Sequence, residues 1–270
     1  MSAIMEDIHK ARSEYPYLNI GYNFDDGFLH FHEEPEVLYV YEGTITVTID
    51  HENQLLTPED ICIILPSQIH TLTPVGPIKL HVMKFYPVID LIHIRLERNI
   101  YHREDAYYNF LLRNVLDIIE EDAKRIPGFE LAVVNGCGNI LLYILRNLPH
   151  KHINQTGAKR ISYNAEFISR VNSYLNEYYK VPLSLEDISG HFDYSRSYFS
   201  RLFKEVTGQN YIDYYTTFRL KKSIYLLKST HASIESIALA SGFNNLRSYN
   251  RSFQKYFGQS PGDYRKQFQK

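Results

Sequence analysis

Cysteine is nearly missing from this sequence: Cys62 and Cys137 are the only two among 270 residues. Two cysteines cannot build a disulfide scaffold or a thiolate zinc centre, and each stands inside an apolar segment, so both are expected as small core side chains in a reducing cytoplasm. Tryptophan is absent and methionine is rare. No apolar run reaches the length of a membrane span, and Met1 to Asn19 is polar and of mixed charge, so neither a membrane partner nor a signal peptide is expected. The chain is also short of net charge, at −2. That near-balance hides a split. Residues 158–270 hold 17 Lys and Arg against 9 Asp and Glu, a surplus of +8, while residues 1–157 hold 12 against 22, a deficit of −10. Opposite charge on two halves points to a polyanion as partner of the second half alone.

What the first half has in quantity is strand pattern. Val37–Tyr41, Thr44–Ile49, Ile61–Leu65 and Lys79–Tyr86 are rich in Val, Ile, Tyr and Thr. Turn residues at 42–43, 50–53, 57–60 and 74–77 separate them, a spacing that predicts a small barrel or sandwich. From Glu104 the period becomes helical through Tyr108, Leu111, Leu112, Val115, Leu116, Ile118 and Ile119, up to a break at Lys124–Gly128. A second helix is predicted from Phe129 to Leu148. The Asn154-Gln155-Thr156-Gly157 stretch marks a linker, and everything after it reads as helix.

The last third repeats itself. Ser184-Leu185-Glu186-Asp187-Ile188 returns 49 residues later as Ser233-Ile234-Glu235-Ser236-Ile237. Phe199, Arg201, Phe203, Gly208, Gln209 and Tyr214 return 50 residues later as Tyr249, Arg251, Phe253, Gly258, Gln259 and Tyr264, so one residue is added in the second turn. Each copy has the layout of a helix-turn-helix: a Ser N-cap, a short helix with acids in its first turn, a polar turn, and a second helix. Ser195 is the expected cap of the first such helix, and Asn244 or Asn245 of the second. One side of the first is apolar (Tyr198, Phe199, Leu202, Phe203, Val206) and the other carries Arg196, Ser197, Ser200, Arg201 and Lys204. The second sets Tyr249 and Phe253 against Arg247, Ser248, Asn250, Arg251 and Lys255. Arg can grip guanine with two hydrogen bonds, Asn adenine, and Ser either base. Two such faces in a cationic segment favour double-stranded DNA over ordinary solvated helices.

These residues resemble the DNA-binding region of AraC-type (AraC/XylS) transcriptional regulators over about the last 105 residues. The resemblance rests on Arg219-Leu220, Leu226-Leu227, Ile234-Glu235-Ser236-Ile237-Ala238 before Gly242-Phe243, and the closing run from Arg251 to Arg265. Asn250, Ser252 and the Asp193-Tyr194 pair depart from the family pattern. The resemblance implies two helix-turn-helix units, about 183–206 and 232–256, joined by a helix over Tyr211 to Ser229. Their reading helices would enter successive major grooves about 34 Å apart. Residue by residue it places DNA contacts at Arg196, Ser197, Ser200, Arg201, Lys204, Asn245, Arg247, Asn250, Arg251 and Lys255, with the two lysines on phosphate.

Ten of the twelve histidines lie in the first half. His30 and His32, two apart, project from one face of a strand. The string His30-x-His32-x3-Glu36-x6-Gly43 resembles the first cupin motif, and Pro66 to His70 part of the second, with Glu59 in place of a turn Gly and Pro74 in place of an Asn. Such a set suits a divalent metal. Sensor barrels of the resembled family usually lack one, so no metal and no cofactor is expected. Instead His30, His32, Glu36 and His70, with Tyr22, Phe24, Tyr39 and His81, are expected to line a site for a small-molecule effector, a sugar being one candidate. Leu112, Val115, Leu116 and Ile119 are expected to pair two copies into a homodimer.

The fold class expected is therefore α+β in two domains. A cupin-like β-barrel with trailing dimerisation helices covers 1–149, a linker covers 150–162, and an all-α double helix-turn-helix covers 163–270. The function expected is a cytoplasmic, sequence-specific, non-enzymatic regulator of transcription, an activator with RNA polymerase as a further partner. A metal-dependent cupin enzyme, or a metal sensor, fused to a nucleic-acid module is the alternative.

Overall fold

A computed structural model describes residues 17–21 (backbone only), 29–85 and 91–266. The chain divides into two compact units, with the division inside a helix between Ala165 and Glu166; Leu29 and His30 group with the second unit.

The first unit is built on antiparallel sheets. One sheet has the order β1 (Tyr17–Gly21), β7 (Lys79–Phe85), β2 (Glu36–Glu42), β5 (Ile61–Ile64) and β9 (Ile100–Tyr101). The other has the order β4 (Glu52–Leu56), β3 (Ile45–Ile49) and β6 (His70–Pro74). Along β3 the alternation is plain: Ile45, Val47 and Ile49 are buried while Thr46 and Thr48 are half-buried, as expected for a sheet with one dry face. In β2 and β5 consecutive residues are buried, because that sheet is covered on both sides. Its odd-numbered residues Val37, Tyr39, Ile61, Ile63, Met83 and Phe85 join a core with helices α1 (Tyr108–Lys124) and α2 (Phe129–Asn147). Its even-numbered Leu38, Val40, Cys62, Ile64, Leu80 and Val82, all buried, point the other way, toward the second sheet.

Asp50 and His51 close β3 on β4 as a two-residue turn, Ile49 pairing with Glu52; both have positive φ, as a type I′ hairpin requires. The turn is thus shorter than the four residues predicted, and Glu52–Leu56 is a strand. Gly43 joins β2 to β3 with φ +83°, and a Cβ there would stand 2.2 Å from the Pro77 carbonyl oxygen. Both cysteines are buried and unbridged, as expected.

Residues 150–162 do not form the loop linker expected from composition. His150–His152 is strand β10, paired antiparallel with β8 (Ile94–Leu96) in register His150 to Leu96, and α3 begins at Gln155 and runs to Tyr178. A strand of three polar residues has no periodicity to read, and the polar Gln-Thr-Gly run is an exposed first helical turn. Helix α2 is also a correction: by length and composition alone it is apolar enough to cross a membrane. Here Val133, Cys137, Ile140, Leu141 and Ile144 are buried in the core shared with α1.

The second unit is helical: α4 (Leu185–His191), α5 (Arg196–Thr207), α6 (Tyr211–Ser229), α7 (Ile234–Ala240), α8 (Leu246–Phe257) and α9 (Pro261–Lys266), after the C-terminal part of α3. The connecting helix has the predicted bounds. Phe167 of α3 meets Phe199 of α5 at 5.6 Å between ring centroids, and Phe199 stacks on Phe203 at 5.7 Å. In the second half Leu220 and Leu227 of α6, Ile237 and Ala238 of α7, Phe243, and Tyr249 and Phe253 of α8 form one core.

Candidate nucleic-acid interface and sensor site

Each reading helix begins on a side-chain cap. Ser195 Oγ accepts from Tyr198 N at 3.3 Å, and Asn245 Oδ1 from Ser248 N at 2.8 Å, which settles the second cap on Asn245 rather than Asn244. The preceding helices are capped in parallel. Ser184 and Asp187 make a reciprocal capping box and Ser233 Oγ accepts from Ser236 N at 3.0 Å. Both reading helices end on left-handed glycines, Gly208 at φ +74° and Gly258 at φ +71°.

The packing then decides what the helices show. On α5, Phe199, Leu202, Phe203 and Val206 are buried and Arg196, Ser197, Arg201 and Lys204 are exposed, with Ser200 half-buried. On α8, Tyr249 and Phe253 are buried and Arg247, Asn250, Arg251 and Lys255 are exposed. Asn245 is exposed too, but its carbonyl oxygen is engaged in the cap, leaving its amide nitrogen for other work. Tyr198, placed by sequence on the apolar side, is in fact exposed, and the Arg201 guanidinium lies 5.8 Å from its ring centroid. The ring supports Arg201 on the exposed face.

The first unit holds a second polar site, among buried strands. Glu36 on β2 and Lys84 on β7 are cross-strand partners on the inward face, and His70 on β6 points inward from the other sheet. Lys84 Nζ lies 3.1 Å from Glu36 Oε2, His32 Nε2 lies 2.7 Å from it, and His70 Nε2 lies 3.7 Å from it. The other nitrogen of each imidazole is held by a backbone carbonyl: His32 Nδ1 donates to Glu34 O at 2.6 Å and His70 Nδ1 to Gln68 O at 2.8 Å. Burial opposes ionisation of Glu36, but the Lys84 ammonium, with the histidine hydrogen bonds, overrides it and holds this carboxyl well below the usual range. Burial pushes the His32 imidazole below its ordinary value, against the pull of Glu36.

Several residues expected at the effector site fall elsewhere. Tyr39 and His81 are partners in register, but on the opposite face of the sheet from Glu36; Tyr39 packs in the core with α1 and α2. Odd and even residues of one strand cannot share a face. Tyr22 and Phe24 lie outside the described residues. Lys84 was not expected: only the β2–β7 register brings it to Glu36. On α1 the expected pairing face is also divided. Val115 is buried in the chain's own core and cannot pair copies, Leu112 and Ile119 are partly buried against that core, and Leu116 is 38% exposed.

A β-sheet unit with a buried polar cluster, followed by two capped helix-turn-helix units with cationic reading helices, defines a sensor-plus-reader class of protein. Residues 21–125 match the family model described as an AraC-like ligand binding domain, and residues 188–267 match a helix-turn-helix domain. The Msm operon regulatory protein of Streptococcus mutans is 28% identical over 140 residues, covering 52% of this chain and 49% of that protein. The transcriptional regulatory protein HptR of Staphylococcus aureus is 30% identical over 108 residues, covering 40% of this chain and 42% of that one. The chain thus spans less than half the length of these curated relatives. Among solved structures, ToxT from Vibrio cholerae, bound to an unsaturated fatty acid, covers 94% of this chain and 96% of its own, with a TM-score of 0.53 at 14% identity, a likeness of fold. The chain belongs to the AraC-type transcriptional regulators.

Proposed function

We propose that this protein is a sequence-specific DNA-binding regulator of transcription whose first unit senses a small ligand. One observation carries the reading: two independently capped helices, 50 residues apart in sequence, each bury aromatic residues on one face and expose Arg, Ser or Asn, and Lys on the other. The exposed residues Arg196, Ser197, Arg201, Lys204, Arg247, Asn250, Arg251 and Lys255, with Ser200 beside them, form the reading surface; Arg201 and Arg251 contact bases and Lys204 and Lys255 contact phosphate. The relatives are regulators, which favours this reading over a metal-dependent enzyme.

In this reading the protein works in the cytoplasm as a homodimer and an activator that meets RNA polymerase. The sensing unit extends through Ala165 and the DNA reader starts from Glu166. A ligand at His32, Glu36 and His70 changes DNA occupancy only by binding one arrangement of the protein more tightly than another. Footprinting of the full chain on the DNA flanking its own gene tests the reading. Protection of paired half-sites is expected, and protection that is absent at low salt, or is unaltered when Arg201 and Arg251 are both replaced by Ala, overturns it.

A further inference from the structure

The two reading helices have the same length and, 50 residues apart, the same plan, yet they hold their shared arginine differently. Arg201 of α5 and Arg251 of α8 occupy equivalent exposed positions. Tyr198 stands three residues before Arg201, one turn back on the same side of the helix, and is 38% exposed. The Arg201 guanidinium lies 5.8 Å from its ring centroid, within the range of a cation–ring contact. The ring is itself held. Tyr198 meets Tyr194 edge-on at 5.0 Å, and Tyr194 lies 6.4 Å from Phe167, which is buried. A ladder of rings thus runs from the core of the second unit to the tip of one arginine. In α8 the residue three before Arg251 is Ser248, which has no ring. Phe243, 49 residues after Tyr194, turns into the core against Tyr249 at 5.1 Å.

We propose that Tyr198 determines specificity in the first reading helix as a positioning residue that presents the Arg201 guanidinium to a guanine, and that the second helix reads its guanine without such a support. The inference rests on the regulator reading and adds to it an inequality between the two half-sites. A guanidinium must lie in the base plane to donate to both O6 and N7 of guanine. An unsupported arginine samples many rotamers and loses that freedom on docking. A ring that fixes the guanidinium before DNA arrives removes part of the loss. The gain is selective for guanine, because no other base offers the same pair of major-groove acceptors. Lys204, as a phosphate contact, gains nothing from the ring.

The test is selection of binding sites by the full chain from a random-sequence duplex library, followed by fluorescence anisotropy on the selected duplex with each guanine replaced in turn. Arg201→Ala identifies the guanine that Arg201 reads, and Arg251→Ala identifies the other. Tyr198→Ala should lower the preference for the Arg201 guanine by about two- to fivefold, the worth of an exposed cation–ring contact, and leave the Arg251 guanine unaltered. Tyr198→Phe keeps the ring and should match the parent. Added to Arg201→Ala, Tyr198→Ala should have no further effect, since the ring acts through that arginine. Ser248→Ala should leave the preference at the Arg251 guanine unaltered. If Tyr198→Ala fails to fold, Tyr198→Leu, which keeps apolar bulk without the aromatic face, takes its place. The proposal is overturned by an unchanged preference at the Arg201 guanine, by the absence of any guanine that depends on Arg201, or by equal losses in Tyr198→Phe and Tyr198→Ala. Equal losses from Tyr198→Ala and Ser248→Ala at their respective guanines, or losses that add to those of Arg201→Ala, overturn it as well. A parent chain that selects no sequence overturns the regulator reading and this inference together, whereas selection of two blocks that ignore Tyr198 overturns this inference alone.

Discussion

Two residues 49 apart show how the same backbone need is met under different constraints. Asp193 and Gly242 both take positive φ, +56° and +86°, in the turns of the two helix-turn-helix units. At Asp193 a side chain is accommodated. At Gly242 a Cβ would come within 2.3 Å of the Tyr179 carbonyl oxygen and 2.9 Å of Arg219 Nε. That carbonyl is already in use: Arg219 Nε donates to Tyr179 O at 2.8 Å, and its Nη2 to Val181 O at 2.7 Å. Gly242→Ala is therefore expected to destabilise the second unit by roughly 1–3 kcal/mol, through strain and a displaced guanidinium, while Asp193→Ala costs less. Urea unfolding of the two variants checks the difference. At the reading surface, Arg201→Ala and Arg251→Ala should each cost about 1–3 kcal/mol of specific binding and relax the preference at one base position, read by fluorescence anisotropy at fixed salt.

Among the elements, α1 shows how one stripe is shared between an intrachain core and a free edge. Val115 is fully buried and Leu116, one residue on, is 38% exposed, because adjacent helical residues lie about 100° apart. Val115→Lys is expected to unfold the first unit. Leu116→Lys should leave its melting temperature within a few degrees and, if α1 carries the dimer contact, shift sedimentation toward monomer. A monomer at micromolar concentration before any substitution would remove that contact from the proposal. The cap on α4 offers a second check. Ser184→Ala removes the acceptor for Asp187 N and the partner of its carboxylate, a loss of about 0.5–2 kcal/mol.

For the whole molecule, the charge split turns into a salt dependence. The +8 surplus belongs to residues 158–270, where the exposed Arg and Lys of α5 and α8 lie. Neutralising phosphates releases counterions, so log affinity should fall linearly with log salt, and Lys204→Ala and Lys255→Ala should each reduce the slope by about one without changing base preference. A slope unchanged in both would remove them from the phosphate contacts.

The sequence by itself determined the second unit almost completely. Its repeat, its Ser and Asn caps, its glycine stops and the bounds of α6 are local signals, because a helix records its exposed and buried faces within one stretch of chain. It determined less of the first. The strands rich in Val and Ile were legible, but β1, β4, β6, β8, β9 and β10 were not, since short or polar strands acquire their state from the partner they pair with. The candidate metal donors could be named from spacing, yet Tyr39 and His81 were assigned to the wrong face and Lys84 was invisible. Which residue of β7 faces Glu36, and which side of the sheet the helices cover, depends on register between strands more than 40 residues apart. Only the tertiary structure decides that, because strand register is set by pairing and burial across the sheet, and a slip of one residue turns every side chain to the other face.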